Sequence, residues 1–330
     1  MVVAVVAALS QCAGSPAHAV PPPIDNNQLP QPAPPSPPQP TVQREICAVP
    51  SMARDAIPPN DATQLAGLDL QQVWRLTRGS GQRVAVIDTG VSTHPRLSRL
   101  TAGGDYVFTG DGTQDCDGHG TAVAGIIAAT ADPNHTDDFS GVAPGADLIS
   151  IRQSSTKFGP AADRSAAGFG DVDTMARAVR TAADLGASVI NISSVACARV
   201  GSALDDRALG AALSYAVDVK NTVVVVAAGN VGAAQCPAQQ ADATRDSATV
   251  VVSPAWYDDY VLTVGSVNVR GEPSAFTMAG PWVDVAAPGE GVVSLSSTGG
   301  GLANAVVDNR VRLRCRGPVL PRRWSLAWPR

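Results

Sequence analysis

The sequence predicts an α/β fold, a doubly wound and mostly parallel sheet with helices on both faces, incomplete at its C-terminal end. Three observations predict it. From about Arg83 onward short runs of Val, Ile and Ala recur, amphipathic stretches alternate with them, and the runs are apolar throughout rather than at every second position. A strand covered on both faces needs such a run, and two parallel neighbours need a crossover between them, which the helical stretches supply.

In chain order, the strand RVAVID occupies Arg83–Ile87 and closes on Asp88, and a helix runs from His119 through Ala129. DLISI is the next strand, followed by a helix whose apolar positions Val172, Met175, Val179 and Leu185 recur at helical spacing. SVINIS, a helix over Ala203–Val219, TVVVVAAGN, YVLTVGS and WVDVAAPG complete the alternation. No internal repeat interrupts it. In sheets of this kind the reactive groups collect where strands end at their carboxyl side, which selects the positions to read closely.

The flanks have a different texture. Residues 1–19 read as a secretory signal segment, with the apolar run VVAVVAAL and the cleavage pattern Ala17-His18-Ala19, though without a basic leader. A lipid anchor on Cys12 is the weaker alternative, because Gln11 is bulky where a small residue is wanted. The chain is therefore expected to be exported to the cell envelope or beyond. Residues 20–45 form a proline-rich arm, with ten prolines between 21 and 40, and are expected to be a solvated polyproline II spacer rather than a packed element.

Composition narrows the function. Aromatics make up 4% of the 330 residues, so base-stacking surfaces are scarce, which argues against nucleic acid as a partner of the domain. The formal charge of −5 hides an asymmetry, since seven of the 24 basic residues crowd positions 310–330, where no acid occurs. The six cysteines show no C-x-x-C spacing, which removes zinc and thioredoxin-like readings; an exported chain would pair them.

Three positions carry the chemistry. Asp88 presents a carboxylate at a strand end with Thr89-Gly90 turning behind it; an aspartic-protease dyad is excluded because no second D-T-G or D-S-G exists. His119 lies between two glycines at a helix start, where packing gives an imidazole little reason to be and backbone can approach closely. No second His follows at ligand spacing, so neither Asp117 nor His119 is read as a metal ligand, and neither a metal nor any cofactor is expected. Asn230 ends a buried strand in Gly-Asn, where a side-chain amide can donate to a developing oxyanion, an interaction worth roughly 3–4 kcal/mol.

The frames V-I-D-T-G-V, D-G-H-G-T-A-V-A-G and A-A-G-N, in the order Asp, His, Asn, resemble those of the subtilisin-like serine proteases. Phe139-Ser140-Gly141-Val142-Ala143-Pro144 and Ala287-Pro288-Gly289 resemble further family segments, and Ile190–Ser194 resembles the substrate-binding strand, which implies substrate contacts at Ser193 and Ser194. Within the family the likeness is to the mycosins, the membrane-anchored subtilases of mycobacterial type VII secretion, through the proline-rich arm, D-C-D-G-H-G-T and N-I-S-S-V-A-C-A. That resemblance implies Cys47–Cys116 and Cys197–Cys236 disulfides, a peptide or protein substrate, and type VII secretion membrane components as partners. Residues 46–300 are then the subtilisin-like catalytic domain, in which Asp88 orients His119, His119 is the general base and Asn230 serves the oxyanion.

The pattern breaks at its end. A subtilase carries its nucleophile in G-T-S-x-A-x-P before an apolar helix, and no such segment follows Gly289. Ser294, Ser296, Ser297 and Ser325 lack the Gly-Thr lead and the helix, so none is read as the nucleophile. Residues 301–330 instead become an Arg-rich tail, VRLRCRGPVLPRRWSLAWPR in its last part. Readings as a solvated basic tail or a membrane or nucleic-acid patch compete with out-of-frame translation of a GC-rich gene, which 22 Arg against two Lys favours. The expectation is a truncated secreted endopeptidase that is inactive as this chain. The alternatives are a non-catalytic envelope scaffold and a degraded remnant. No stretch reads as a transmembrane helix.

Overall fold

The computed structural model describes residues 19–51, 64–166, 168–202, 204–232, 236–308 and 311–314. The signal-segment reading on 1–18, with Cys12, and most of the basic tail, with Cys315 and Ser325, lie outside them. The central sheet has seven strands: β1 (Arg83–Asp88), β2 (Leu100–Asp105), β3 (Asp147–Arg152), β4 (Val189–Ile192), β5 (Val223–Ala227), β6 (Leu262–Val267) and β7 (Val285–Pro288). Their spatial order is β7-β6-β5-β4-β1-β3-β2, with every pairing parallel. This is the doubly wound arrangement the apolar runs predict. The order of travel reverses at β1, whose neighbours are β3 on one side and β4 on the other, so the crevice of the sheet opens between the ends of β1 and β4.

Among the described residues four α-helices accompany it: α1 (Leu70–Leu76), α2 (His119–Ala128), α3 (Val172–Asp184) and α4 (Arg207–Ser214). Strand parity divides the core into two layers. Ala85 and Ile87 of β1 pack with Ile149, Ile190 and Val224 against Val179 of α3 and Leu213 of α4. Val84 and Val86 point to the other face, where they meet Ala124 and Ala128 of α2. A capping box starts α3, the Asp171 carboxylate accepting from the Thr174 amide while the Thr174 hydroxyl accepts from the Asp171 amide. The fourth helix begins at Arg207, later than the apolar pattern suggests, and continues as a wider turn over Tyr215–Val219.

Several described elements were not legible. One is β2, an edge strand whose LTAGGD lacks a Val/Ile run; Gly103 there lies so close to Ile149 that an added Cβ would stand 2.6 Å from its side chain. Others include α1 and the antiparallel pair Ala196–Arg199 with Val250–Ser253.

The arm departs from the solvated spacer expected for it. Thr41–Gln43 pairs antiparallel with Phe158–Pro160, the Thr41 hydroxyl donates to the Val107 carbonyl, and the Pro30 carbonyl accepts from Arg180 at 3.2 Å. Pro35 sits over Gly104, and Ala19 is fully buried. Extended proline-rich backbone makes no internal hydrogen bonds, so its carbonyls are available to donors on the domain surface. Cys47 bonds Cys116 at 2.04 Å, and Cys197 bonds Cys236, the pairs the resemblance implies.

Part of the stretch set apart as a tail is also built in. Ala305–Asp308 pairs antiparallel with Val311–Arg314 on one side and with Val49–Ser51 on the other, and Leu302–Ala303 pairs with Ser294–Leu295. Among the described residues no helix is long and apolar enough to cross a membrane.

Candidate active site

The same parity that sends Val84 and Val86 toward α2 sends Asp88 there, at the carboxyl end of β1. His119 is the first residue of α2, and the turn before it needs Gly118, whose φ of 82° is the left-handed conformation that a side chain disfavours. Thirty-one residues apart in the chain, the two meet: His119 Nδ1 lies 2.7 Å from Asp88 Oδ1. Asp88 is 1% exposed and the imidazole 11%.

Because the imidazole donates Nδ1–H to the carboxylate, Nε2 carries the lone pair that can take a proton. Burial works against charge on both groups, yet their mutual attraction and hydrogen bond outweigh it. With help from the Thr89 amide and the neighbouring Ser193 hydroxyl, Asp88 is held below the ordinary carboxylate value. His119 is raised above the ordinary histidine value by Asp88 and further by Asp115 and Asp117. The arrangement therefore stabilises an imidazolium, the state a general base passes through when it removes a proton.

Ser193 and Ser194 follow β4 and are buried beside β1 in the crevice. Ser193 Oγ accepts from Asn191 at 3.0 Å, and Ser194 Oγ lies 3.3 Å from Ser154 Oγ. Their side chains are thus engaged within the domain. Asn230 sits three residues beyond β5, is 8% exposed, and forms an antiparallel bridge with Thr277. Strand order puts it on the far side of β4 from Asp88, about 10 Å across at the usual strand spacing. Asp88 and Asn230 thus follow strands one apart at the carboxyl end of one sheet, and His119 joins Asp88 from the start of α2.

Of the serines set aside as nucleophiles, Ser294 and Ser296 are engaged elsewhere, and Ser325 lies outside the described residues. Ser294 Oγ donates to the Ala122 carbonyl of α2 at 2.6 Å, and Ser296 Oγ lies 3.3 Å from the Thr298 hydroxyl. The Ser297 hydroxyl is buried beside Gly118 and has no hydrogen-bond partner among the described residues. Asp117, excluded as a metal ligand, accepts from the Ser155 hydroxyl and from both the amide and hydroxyl of Thr156. Among the described residues no group of three His, Cys, Asp or Glu is arranged to hold a metal ion.

Several buried charged groups escaped sequence reasoning, among them Asp115 and Lys157. Asp115, beside Cys116, accepts four hydrogen bonds around the start of α2. Lys157 is 1% exposed and reaches Glu45 of the arm and Asp308 of the late hairpin. The D-C-D text hinted at the first; nothing local marks the second.

The subtilase family profile (peptidase S8) matches residues 79–310. The chain is 67% identical over 308 residues to Mycosin-4 of Mycobacterium tuberculosis, an alignment that covers 92% of this chain and 67% of that protein. It is 44% identical to Mycosin-3 of the same organism, covering 90% and 68%. Among solved structures, the MycP3 protease of the type VII (ESX-3) secretion system superimposes with a TM-score of 0.80 at 43% identity, covering 93% of this chain and 85% of that one. A chain in the periplasmic assembly of the ESX-5 inner membrane complex superimposes with a TM-score of 0.83 at 40% identity, covering 93% and 81%. The profile match, the seven-strand parallel sheet and the Asp88–His119 pair at its crevice agree: the chain belongs to the subtilase family, on its mycosin branch.

Proposed function

We propose that this chain serves a type VII secretion system in the cell envelope as a subtilisin-type serine peptidase in design, with Asp88 orienting His119 and Asn230 donating to the oxyanion, but that it performs negligible acyl transfer as it stands. The observation that carries the design is the 2.7 Å contact between Asp88 and His119, buried at the sheet's switch point. What argues for inactivity is that the 330 residues contain no G-T-S-x-A-x-P segment from which His119 could take a proton. In subtilisin, removing the nucleophile alone costs about 10⁶ in kcat, leaving only the residual catalysis of the oxyanion site and substrate binding. A peptide substrate would run along the segment after β4, at Ser193 and Ser194. A fluorophosphonate probe applied to the purified chain is expected to leave its serines unlabelled; stoichiometric labelling of any serine overturns the inactive assignment.

A second, non-catalytic reading is favoured by one observation, the likeness to a component of the ESX-5 inner membrane complex. In it the domain is an envelope scaffold, contacting secretion components through its surface and its docked arm. Co-purification with such components from intact cells, retained in His119→Ala, supports this reading. Loss of co-purification in that variant sinks it.

A further inference from the structure

We propose that Asp115 is a positioning residue for the Asp88–His119 pair: its one carboxylate ties the turn that follows Asp88 to the first turn of the helix that begins with His119. The inference rests on reading that pair as the peptidase dyad.

A helix begins with amides that have no partner inside it, and a side chain at the capping position normally accepts from them. Here that position is Gly118, which has no side chain and makes no cap bond. Asp115 takes over from three residues upstream. Its Oδ1 accepts from the Gly118 amide at 2.7 Å, and its Oδ2 accepts from the Thr121 amide at 2.8 Å and the Thr121 hydroxyl at 2.7 Å.

The same carboxylate also reaches the other half of the pair. Oδ1 accepts from the Thr89 hydroxyl at 2.8 Å, and that hydroxyl oxygen accepts in turn from the Gly120 amide at 3.0 Å. The Thr121 hydroxyl oxygen accepts from the Ser92 amide at 2.9 Å. Thr89 is the residue after Asp88, and Gly118 and Gly120 flank His119. Through Thr89 directly and through Thr121 to Ser92, Asp115 thus links residues 89–92 with residues 118–121, the two segments whose separation sets the distance from Nδ1 to Oδ1.

This is a built arrangement in a place where charge is expensive. Asp115 is 9% exposed, and burial pushes its pKa up to about 6 in spite of its bonds, with Asp117 adding to the rise. A carboxylate kept there against that cost, with both oxygens shared between the two segments, does more than fill space.

The test separates geometry from charge by three variants of the full chain, read on the His119 imidazole by NMR. The wild-type protein should show a low-field Nδ1 proton, the signature of a short hydrogen bond to Asp88. Asp115→Asn removes the charge and turns one of the two acceptor oxygens into a donor, while Thr89→Val leaves the charge and removes only the bridge. Both should shift or broaden that proton and lower the His119 pKa. Thr89→Ser, which restores the hydroxyl, should return both readouts to wild type. A folded Thr89→Val protein with a wild-type proton and titration overturns the proposal, and it decides the matter even if Asp115→Asn does not fold. Absence of the low-field proton in the wild-type protein would instead overturn the dyad itself, and the role of Asp115 with it.

Discussion

The Lys157 ammonium donates to the Asp308 carboxylate at 2.6 Å across 151 residues of chain, and to Glu45 at 3.1 Å. One buried charge thereby joins the proline-rich arm, the strand that arm pairs with, and the late hairpin. Burial opposes the ammonium, but the hydrogen bonds and attraction of the two carboxylates outweigh it and hold its pKa above the ordinary lysine value. A raised lysine contributes its full stability below its unfolded value, so the tie is complete at neutral pH.

Removing one partner of such a buried group is costlier than removing both. Asp308→Asn should therefore destabilise by about 3 kcal/mol, near the low end for broken buried pairs because Glu45 remains. Adding Lys157→Met should recover part of that loss. Urea denaturation of the two single variants and the double variant measures it, and simple additivity would contradict the tie.

The Asp88–His119 pair sets a pH window. Asp88 is lowered, so its contribution is present above the unfolded value near 3.8 and is lost as pH falls through its folded value. His119 is raised, so its contribution is present below 6.5 and is lost as pH rises through its folded value. Asp88→Asn should accordingly cost most stability between about pH 4 and 6.5 and less on either side. Its His119 should titrate below the ordinary value, since burial is then less opposed. Thermal unfolding across pH and imidazole titration check the two halves separately.

The disulfides close segments of 69 and 39 residues. On the chain-entropy account each stabilises by about 4 kcal/mol. Replacing both Cys197 and Cys236 with Ala should lower stability by that order in denaturant. Replacing Cys47 and Cys116 should in addition free the arm near residue 47, read as faster amide exchange over residues 41–48. Unchanged exchange there would show that strand pairing and Lys157 hold the arm without the bridge.

Helix α2 approaches β1 through glycine. A Cβ on Gly120 would stand 2.0 Å from the Gly90 carbonyl oxygen and 3.2 Å from Asp88 Cβ, a clash that backbone cannot relieve by rotating a side chain. Gly120→Ala should cost about 3 kcal/mol, the upper end for overpacking, and should disturb the His119 proton resonance. Gly300→Ala, with nothing within 4 Å of an added Cβ, is the matching control and should be close to neutral.

Much of this protein is legible in its text. The fold class follows because a strand buried on both faces has to be apolar throughout, as VAVI and VVVVA are. Asp88, His119 and Asn230 stand out because each interrupts such texture with a reactive group at a strand end or helix start. The edge strand β2 was hidden because close approach to Ile149 demands glycine, which carries no strand signal. The docked arm was hidden because a polyproline run reads the same whether water or Arg180 satisfies its carbonyls.

By itself the sequence determined the layers of the sheet, the order in which its chemical groups appear, and the absence of a G-T-S-x-A-x-P segment within these residues. Only the tertiary structure decided which groups meet: Nδ1 of His119 with Asp88, Asp115 with both flanking turns, Lys157 with Asp308. The reason is physical. Apolar periodicity is a local property, written wherever a face is buried, whereas a buried charge is tolerated only because of partners 31 or 151 residues away. An Asp or Lys in the text looks the same whether it faces water or its one distant counterpart.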